Sequence, residues 1–153
     1  MFSNHIDAEK PHILFITPSM YSNNLPTNTI IRIAFSEFVK PNAGVITFKN
    51  TQKDVYVNVE SVKEVRCVKD VCSIEPMYGF EPGVYEMTFS ENAFVDYSGN
   101  TLVNGVSGHI FVVSDTKCGL EYVNVENNTE CFCQSKDNQC QCQCGDTYFV
   151  KDY

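Results

Sequence analysis

The chain has 153 residues, 43% of them hydrophobic and 12% aromatic, which suits one domain of ordinary size with its own core plus an appendage. Its formal net charge is −8 and its pI is near 4.7. Because an acidic surface repels phosphate backbones, we do not expect a nucleic-acid partner. No stretch reaches the apolar length of a membrane span, so no membrane insertion is expected within this chain.

Residues 1–10 are polar, and we expect them to form a flexible N-terminus. They contain no basic region followed by an apolar run, so they do not have the pattern of a secretory signal. Eight cysteines nevertheless favour an oxidising compartment. Both observations agree if the chain is part of a longer protein that carries its signal elsewhere. We therefore expect an extracellular or cell-surface location.

Between residues 11 and 114, short apolar stretches alternate with turn residues. His12–Thr17 predicts a first strand that Pro18 ends, and residues 19–27, rich in Ser, Asn and Pro, predict a loop. The further predicted strands are Ile31–Phe35, Val45–Phe48, Asp54–Val65, a hairpin over Val65–Ile74, Gly83–Phe89 and Gly105–Val113. About seven short strands without an amphipathic helix predict an all-β sandwich, with a closed barrel as the alternative.

The stretch of residues 83–102 organises the rest of this region. From Tyr85 to Phe89, every second side chain is large and apolar, as in a half-buried strand. Residues 90–94 are too few for a stable helix and predict one helical turn, and residues 96–100 predict a tight turn. The succession of strand, corner, turn and strand is typical of a β-sandwich that passes from one part of a sheet to another.

The tight turn carries oxygen-bearing side chains at alternate positions. Gly99 can adopt a positive φ at little cost, and Asp96 or Asn100 can hydrogen-bond the local backbone. With Ser98, these two residues also have the alternating oxygen spacing of a calcium loop, but further acidic ligands and the distal Glu of an EF-hand are missing. We interpret Asp96, Gly99 and Asn100 as a structural turn, and we predict no metal and no other cofactor.

Two cysteines lie within the predicted hairpin. Cys67 and Cys72 flank four residues, so on the two arms their side chains can face each other and close a cross-strand disulfide. The gain in stability is expected to be modest because the closed loop is short. A metal site would need two more ligands nearby, and the local sequence offers none.

The composition changes after Ser114, and residues 115–153 are predicted to form a separate module with few aliphatic residues. Its own core would be inadequate without cross-links. Neighbours in a C-x-C pair rarely bridge each other, so we predict three disulfides between separated cysteines, with fifteen connectivities open. A thiolate site for zinc or another soft metal is the alternative. The six cysteines are Cys118, Cys131, Cys133, Cys140, Cys142 and Cys144.

The module also contains Asn127-Asn128-Thr129, which is the acceptor sequon of the chain. In a secreted protein, Asn127 would be a surface glycosylation site. A chance tripeptide is the alternative interpretation.

Catalysis has little support in the sequence. His5, His12 and His109 are scattered, and no G-x-S-x-G, H-E-x-x-H or P-loop pattern occurs. His109 lies among apolar neighbours and is expected to be a structural histidine. Glu37 is expected to be a solvated turn residue. We therefore predict no enzymatic activity.

Two stretches together resemble a known family. The sequence V-Y-E-M-T-F-S, followed by A-F-V-D-Y-S-G-N-T-L, resembles the penultimate strand and D-x-x-G-N turn of bacterial Ig-like domains of the S-layer type. Pro11–Pro41 resembles the opening of the same family, with a P-x-x-x-x-x-x-P strand, a loop and a strand ending in F-S-E-x-V. The resemblance covers about residues 10–114 and departs from the family in its cysteines. Separately, Cys142–Phe149 is similar to the end of an EGF-like module.

The resemblance implies an Ig-like β-sandwich at residues 11–114, followed by the small disulfide-rich module at residues 115–153. It also implies a structural, adhesion or assembly role within a larger surface or secreted protein. The implied partners are other protein modules, copies of the same chain, or a glycan. A thiolate metal-binding domain is one alternative function. An accessory carbohydrate-binding module of an enzyme is another, with Tyr56 as its candidate exposed aromatic.

Overall fold

A computed structural model of the chain describes residues 9–114 with their side chains and, beyond them, the strands at residues 121–125, 129–136, 139–144 and 147–151. These residues contain strands and no helix, so the all-β prediction is confirmed. The strands up to residue 114 are β1 (Ile13–Thr17), β2 (Ser22–Leu25), β3 (Ile31–Phe35), β4 (Val39–Pro41), β5 (Val45–Lys49), β6 (Val55–Asn58), β7 (Val65–Val68), β8 (Val71–Ile74), β9 (Gly83–Phe89), β10 (Phe94–Asp96) and β11 (Val106–Val113).

Two open sheets form the sandwich. The first has the strand order β1-β3-β8-β7, and the second has the order β2-β11-β9-β5-β6. A small sheet of β10 and β4 completes this region. Adjacent strands are antiparallel except β2, which runs parallel to β11. Because both large sheets end in edge strands, the Ig-like sandwich is the correct prediction and the closed barrel is not.

The core lies between the sheets because each sheet buries alternate side chains. On β9, Tyr85, Met87 and Phe89 are buried, as the period-2 pattern predicts. On β3 of the other sheet, Ile31 and Phe35 are fully buried and belong to the same hydrophobic cluster. The core therefore joins both sheets, which is the defining feature of a sandwich.

Aromatic rings fill the centre of this core. Phe80, which precedes β9, packs against three rings of the five-stranded sheet, with centroid distances of 5.0 Å to Phe48, 5.0 Å to Tyr85 and 5.5 Å to Phe111. These edge-to-face and tilted arrangements suit the quadrupoles of the rings. We call Phe48, Phe80, Tyr85 and Phe111 the aromatic cluster.

The predicted loop at residues 19–27 contains a strand that the sequence pattern did not reveal. Strand β2 is held by backbone bonds: Tyr21 N donates to Ile110 O at 2.7 Å and Ser114 N donates to Leu25 O at 2.8 Å. Its sequence is polar and irregular, and Tyr21 and Asn24 have positive φ. The prediction of a continuous loop was therefore wrong, because β2 depends on pairing with β11 and not on hydrophobic alternation.

Strands β4 and β10 were also missed, because each has three residues and their two-stranded ladder is joined only by an isolated bridge between Val95 and Thr101. Ala93 N donates to Ser90 O at 3.1 Å, so a single turn exists at residues 90–93. Phe94, expected to end that turn, instead begins β10 and is fully buried. With β2, these strands bring the total at residues 9–114 to eleven instead of about seven.

A further sheet lies in the cysteine-rich region. It contains β12 (Glu121–Val125), β13 (Thr129–Lys136), β14 (Gln139–Cys144) and β15 (Thr147–Lys151). The four strands are antiparallel and adjacent in chain order. The sequence did not predict strands here, and the division of the chain at residues 114 and 115 stays a prediction.

We expect the aromatic cluster to dominate the stability of the sandwich. Replacement of Phe111, which is fully buried, by alanine (Phe111→Ala) should lower the free energy of unfolding by about 3–5 kcal/mol. Phe38→Ala is the matched control, because Phe38 is 51% exposed and its loss should cost at most about 0.5 kcal/mol. Urea unfolding followed by circular dichroism measures both. Equal losses in the two variants would contradict the placement of the core.

Candidate functional site

A cavity of about 220 Å³ lies between edge strand β6 and the loop at residues 75–82, which connects β8 to β9. We call it the β6 cavity. Its walls combine phenol rings, a thioether and carboxylates. The lining residues are Lys53, Asp54, Val55, Tyr56, Glu64, Pro76, Met77, Tyr78, Gly79, Glu81 and Tyr85.

The loop that forms one wall is anchored in the core. Phe80 is 3% exposed within the aromatic cluster, and its backbone N donates to Thr27 O at 2.8 Å. Gly79 has a φ of +67°, and a Cβ there would lie 2.6 Å from the same Thr27 oxygen. Only glycine therefore fits this close approach without displacing the backbone. The chain just before Phe80 is consequently held at the surface.

The residues before this anchor face solvent. Met77 is 56% exposed and Tyr78 is 95% exposed. Met77 N donates to Glu64 Oε2 at 2.9 Å, which ties the loop to the segment before β7. Exposed tyrosine rings beside a hollow are typical of contact surfaces, because they offer a large area at a low cost in conformational entropy. Methionine is also enriched at such surfaces.

The opposite wall comes from β6. Alternation along this strand buries Val57 and turns Tyr56 outward, where it is 64% exposed. Tyr56 Oη donates to Asp54 Oδ2 at 3.2 Å, and this hydrogen bond, followed by the negative charge of Asp54, raises the pKa of Tyr56. Asn50 N donates to Asp54 Oδ1 at 2.9 Å. Asp54 is therefore fixed beside the ring.

Tyr85 connects the cavity to the core. Its ring belongs to the aromatic cluster, and its Oη donates to Glu81 O at 2.8 Å. Burial is the main cause that raises the pKa of Tyr85. The phenol therefore stays neutral at physiological pH and acts as a fixed hydrogen-bonding group.

The electrostatic balance of the β6 cavity is negative. Asp54, Glu64 and Glu81 contribute three carboxylates, and Lys53 contributes one ammonium group. A phenol ring attracts a cation placed over its face, and a nearby carboxylate adds to that attraction. The arrangement therefore suits a basic side chain, whose aliphatic part can lie against Met77 and the rings.

Among the residues predicted from the sequence, Cys67 and Cys72 form a disulfide, which confirms that prediction. They are directly opposite on β7 and β8, with 4.0 Å between their Cα atoms. Cys72 is fully buried in the core. The bond therefore links the edge strand β7 to the interior of its sheet.

The Asp96 turn is a network of hydrogen bonds around a carboxylate that is 1% exposed. Asp96 Oδ1 accepts from Ser98 N at 2.9 Å and from Asn100 N at 2.8 Å, and Oδ2 accepts from Asn100 Nδ2 at 3.0 Å. Burial alone would raise the pKa of Asp96, but hydrogen bonds from Glu37, Asn100 and Ser98 outweigh it and lower that pKa. Gly99 has a φ of +88°. The arrangement supports the structural interpretation of this turn.

The contact with Asp96 shows that Glu37 is not simply a solvated turn residue. Glu37 is partly buried, and its carboxyl group hydrogen-bonds the Asp96 carboxylate. His109 is 6% exposed, with its Nε2 2.8 Å from Pro18 O, in keeping with a structural histidine.

Several predicted sites cannot be placed with their side chains. Asn127, Cys118 and His5 lie outside the described residues. The pairing of the remaining cysteines stays a prediction, because only their strand positions are described: Cys131, Cys133, Cys140, Cys142 and Cys144.

Sequence reasoning found only one wall of the β6 cavity. Tyr56 was a candidate exposed aromatic, whereas Met77 and Tyr78 were not among the candidate residues. The available signal was the adjacent pair Met77-Tyr78 next to Gly79, at a position where small and polar turn residues are more common. That this pair lies near Tyr56 could be seen only from the folded structure.

Within the part of the chain whose side chains are described, no group of three or more His, Cys, Asp or Glu is arranged to hold a metal ion. The described residues also include no helix that is long and apolar enough to span a membrane. Neither finding concerns the side chains of the cysteine-rich region.

Residues 9–114 form an Ig-like β-sandwich with an exposed cavity lined in part by tyrosine side chains. The family model for the bacterial Ig-like domain matches residues 7–113, and the chain therefore belongs to this family. Domains of this family occur in bacterial surface proteins, where they are protein-interaction modules and generally not catalysts. Comparisons with curated proteins and with solved structures give no match.

We expect the Asp96 network to make stability pH-dependent. The pKa of Asp96 is below its ordinary value of 3.8 in the fold, so its contribution is complete well above pH 3.8 and is lost as the pH falls through the lower folded value. Asp96→Asn should cost about 1–3 kcal/mol at pH 7 and remove this pH-dependent part. The exposed Asp70→Asn is the control. Urea unfolding at pH 7 and near pH 3 measures how much the free energy of unfolding changes between the two pH values. The expectation fails if this change is the same in Asp96→Asn as in the unsubstituted protein.

Proposed function

We propose that this chain is an extracellular adhesion or assembly module of a larger surface or secreted protein, and that it binds a basic side chain of another protein in the β6 cavity. Family membership supports the surface role. The observation that carries the binding proposal is the coincidence of exposed Tyr56, Met77 and Tyr78 with three carboxylates in one hollow. The resemblance to the S-layer type agrees with an assembly role.

Charge complementarity selects the occupant. The chain has a net charge of −8, so its field attracts basic partners before contact. Inside the cavity, the Tyr56 ring stands beside the Asp54 carboxylate, and an arginine guanidinium can stack on such a ring while it pairs with a carboxylate. We therefore infer that the partner presents an arginine or lysine on an exposed segment.

The edge strand provides a way to present that side chain. Strand β6 is at the end of its sheet, so its outward backbone groups can pair with an extended segment. Backbone pairing would supply affinity without much selectivity, whereas the cavity would select the side chain. A glycan could also stack on the tyrosines, but a neutral sugar would leave the carboxylates without a cation.

The disulfide-rich module has a supporting role in this proposal. Cross-linked strands after residue 114 would stiffen the connection to whatever follows the sandwich. The partial EGF-like resemblance of Cys142–Phe149 agrees with an extracellular spacer. Glycosylation at Asn127 would suit the same location.

We expect a capped peptide with one central arginine to shift the NMR signals of Tyr56 and Tyr78, while the same peptide with glutamine does not. Removal of both rings, by Tyr56→Ala with Tyr78→Ala, should weaken the binding about tenfold, since each exposed cation–π contact contributes ~0.5–1 kcal/mol. Higher salt should weaken it as well.

Tyr97→Ala is the matched control, because Tyr97 is 66% exposed and does not line the β6 cavity. It should leave peptide binding unchanged. Equal shifts with the glutamine peptide would refute recognition of a cation. Shifts at Tyr56 produced by a neutral oligosaccharide, and not by the arginine peptide, would assign the cavity to a glycan.

A further inference from the structure

The sheet of β12–β15 places cysteines directly across from one another. In the antiparallel pair of β13 and β14, Cys131 is opposite Cys144 and Cys133 is opposite Cys142. The next position in the same row pairs Ser135 with Cys140. On each of the two strands, two cysteines therefore have a cysteine directly opposite.

All of these cysteines share one face of the sheet. Successive residues of a strand alternate between faces, so cysteines two positions apart occupy the same face, and directly opposite residues do as well. On β13 the cysteines at alternate positions are Cys131 and Cys133. On β14 they are Cys140, Cys142 and Cys144. A shift of the register by one residue would move the cysteines of one strand to the opposite face.

We propose that two disulfides cross this sheet in register, Cys131 with Cys144 and Cys133 with Cys142. Directly opposite residues have Cβ atoms about 4.5–5.5 Å apart, close to the distance that a disulfide requires, whereas diagonal neighbours are about 7–8 Å apart. The register therefore favours the direct pairs over Cys131 with Cys142 or Cys133 with Cys144.

The same chain contains an example of this geometry. Cys67 and Cys72 are directly opposite on β7 and β8, and they are bonded to each other. Directly opposite cysteines in the cysteine-rich sheet would pair in the same way. Cys140 has Ser135 across from it, so the register assigns it no cysteine partner.

Each bond forms by oxidation of two thiols. Together the two thiols lose two protons and two electrons to a disulfide oxidant such as oxidised glutathione, which is reduced to two thiols by exchange. The two bonds would form a ladder across β13 and β14. Such a ladder would stabilise a sheet whose sequence has few aliphatic residues.

To test these pairings, one cysteine is replaced at a time, and the partner thiol that becomes free is identified. The full chain is refolded with oxidised and reduced glutathione, treated with a chelator and alkylated without reduction, and the label is located by tandem mass spectrometry. Cys131→Ser should label Cys144, and Cys133→Ser should label Cys142. Cys140→Ser is the control and should label neither of them.

A second measurement uses the unsubstituted protein, in case the variants do not fold. Chymotrypsin cleaves after Phe132, which separates Cys131 from Cys133, and fragmentation of the linked peptides shows which partner each one holds. Linkage of Cys131 to Cys144 and of Cys133 to Cys142 would support the proposal. Diagonal links, or recovery of bound zinc with free thiols at these four positions, would overturn it.

Discussion

The insertion of Phe80 among Phe48, Tyr85 and Phe111 is the contact on which both the core and the candidate site depend. Three strands of the five-stranded sheet supply the rings that receive it. Such ring pairs contribute about 0.5–1.5 kcal/mol each beyond the area that they bury. Because Phe80 follows Tyr78 by two residues, the contact that fills the core also fixes the outer wall of the β6 cavity. The proposed contact surface is therefore anchored in the hydrophobic core.

A second constraint brings together the two motifs that carry the family resemblance. Glu37 belongs to the early F-S-E-F-V stretch and Asp96 to the D-Y-S-G-N turn, and their carboxyl groups hydrogen-bond each other. A buried carboxylate requires several partners, and Asp96 obtains the others from its own turn. Next to it, Phe94 packs on Phe35 at 5.2 Å and on Phe89 at 5.5 Å, so the small sheet joins both large ones.

The parts of the fold that the sequence predicts are those in which local pattern and tertiary burial agree. The alternation from Tyr85 to Phe89 identifies β9 and its buried face, and the spacing of Cys67 and Cys72 identifies a hairpin. Strand β2 escapes prediction because its partner, β11, follows about eighty residues later and supplies only backbone bonds. The β6 cavity escapes for a similar reason, since Tyr56 and Tyr78 are on different elements and their proximity is a tertiary property.

The edge position of β6 also decides which partners are compatible with the cavity. Exposed edges invite pairing between copies of a chain, and charges near them oppose it. Asp54 and Glu60 flank β6 and outnumber the neighbouring Lys53, and every copy carries a net charge of −8. Two acidic copies approaching through this edge would place like charges within about a Debye length of 8 Å, where screening is incomplete. A basic segment of another protein meets the opposite situation, because the same carboxylates attract it. In the proposed function, the carboxylates near β6 would therefore favour a basic partner over a second copy of the chain.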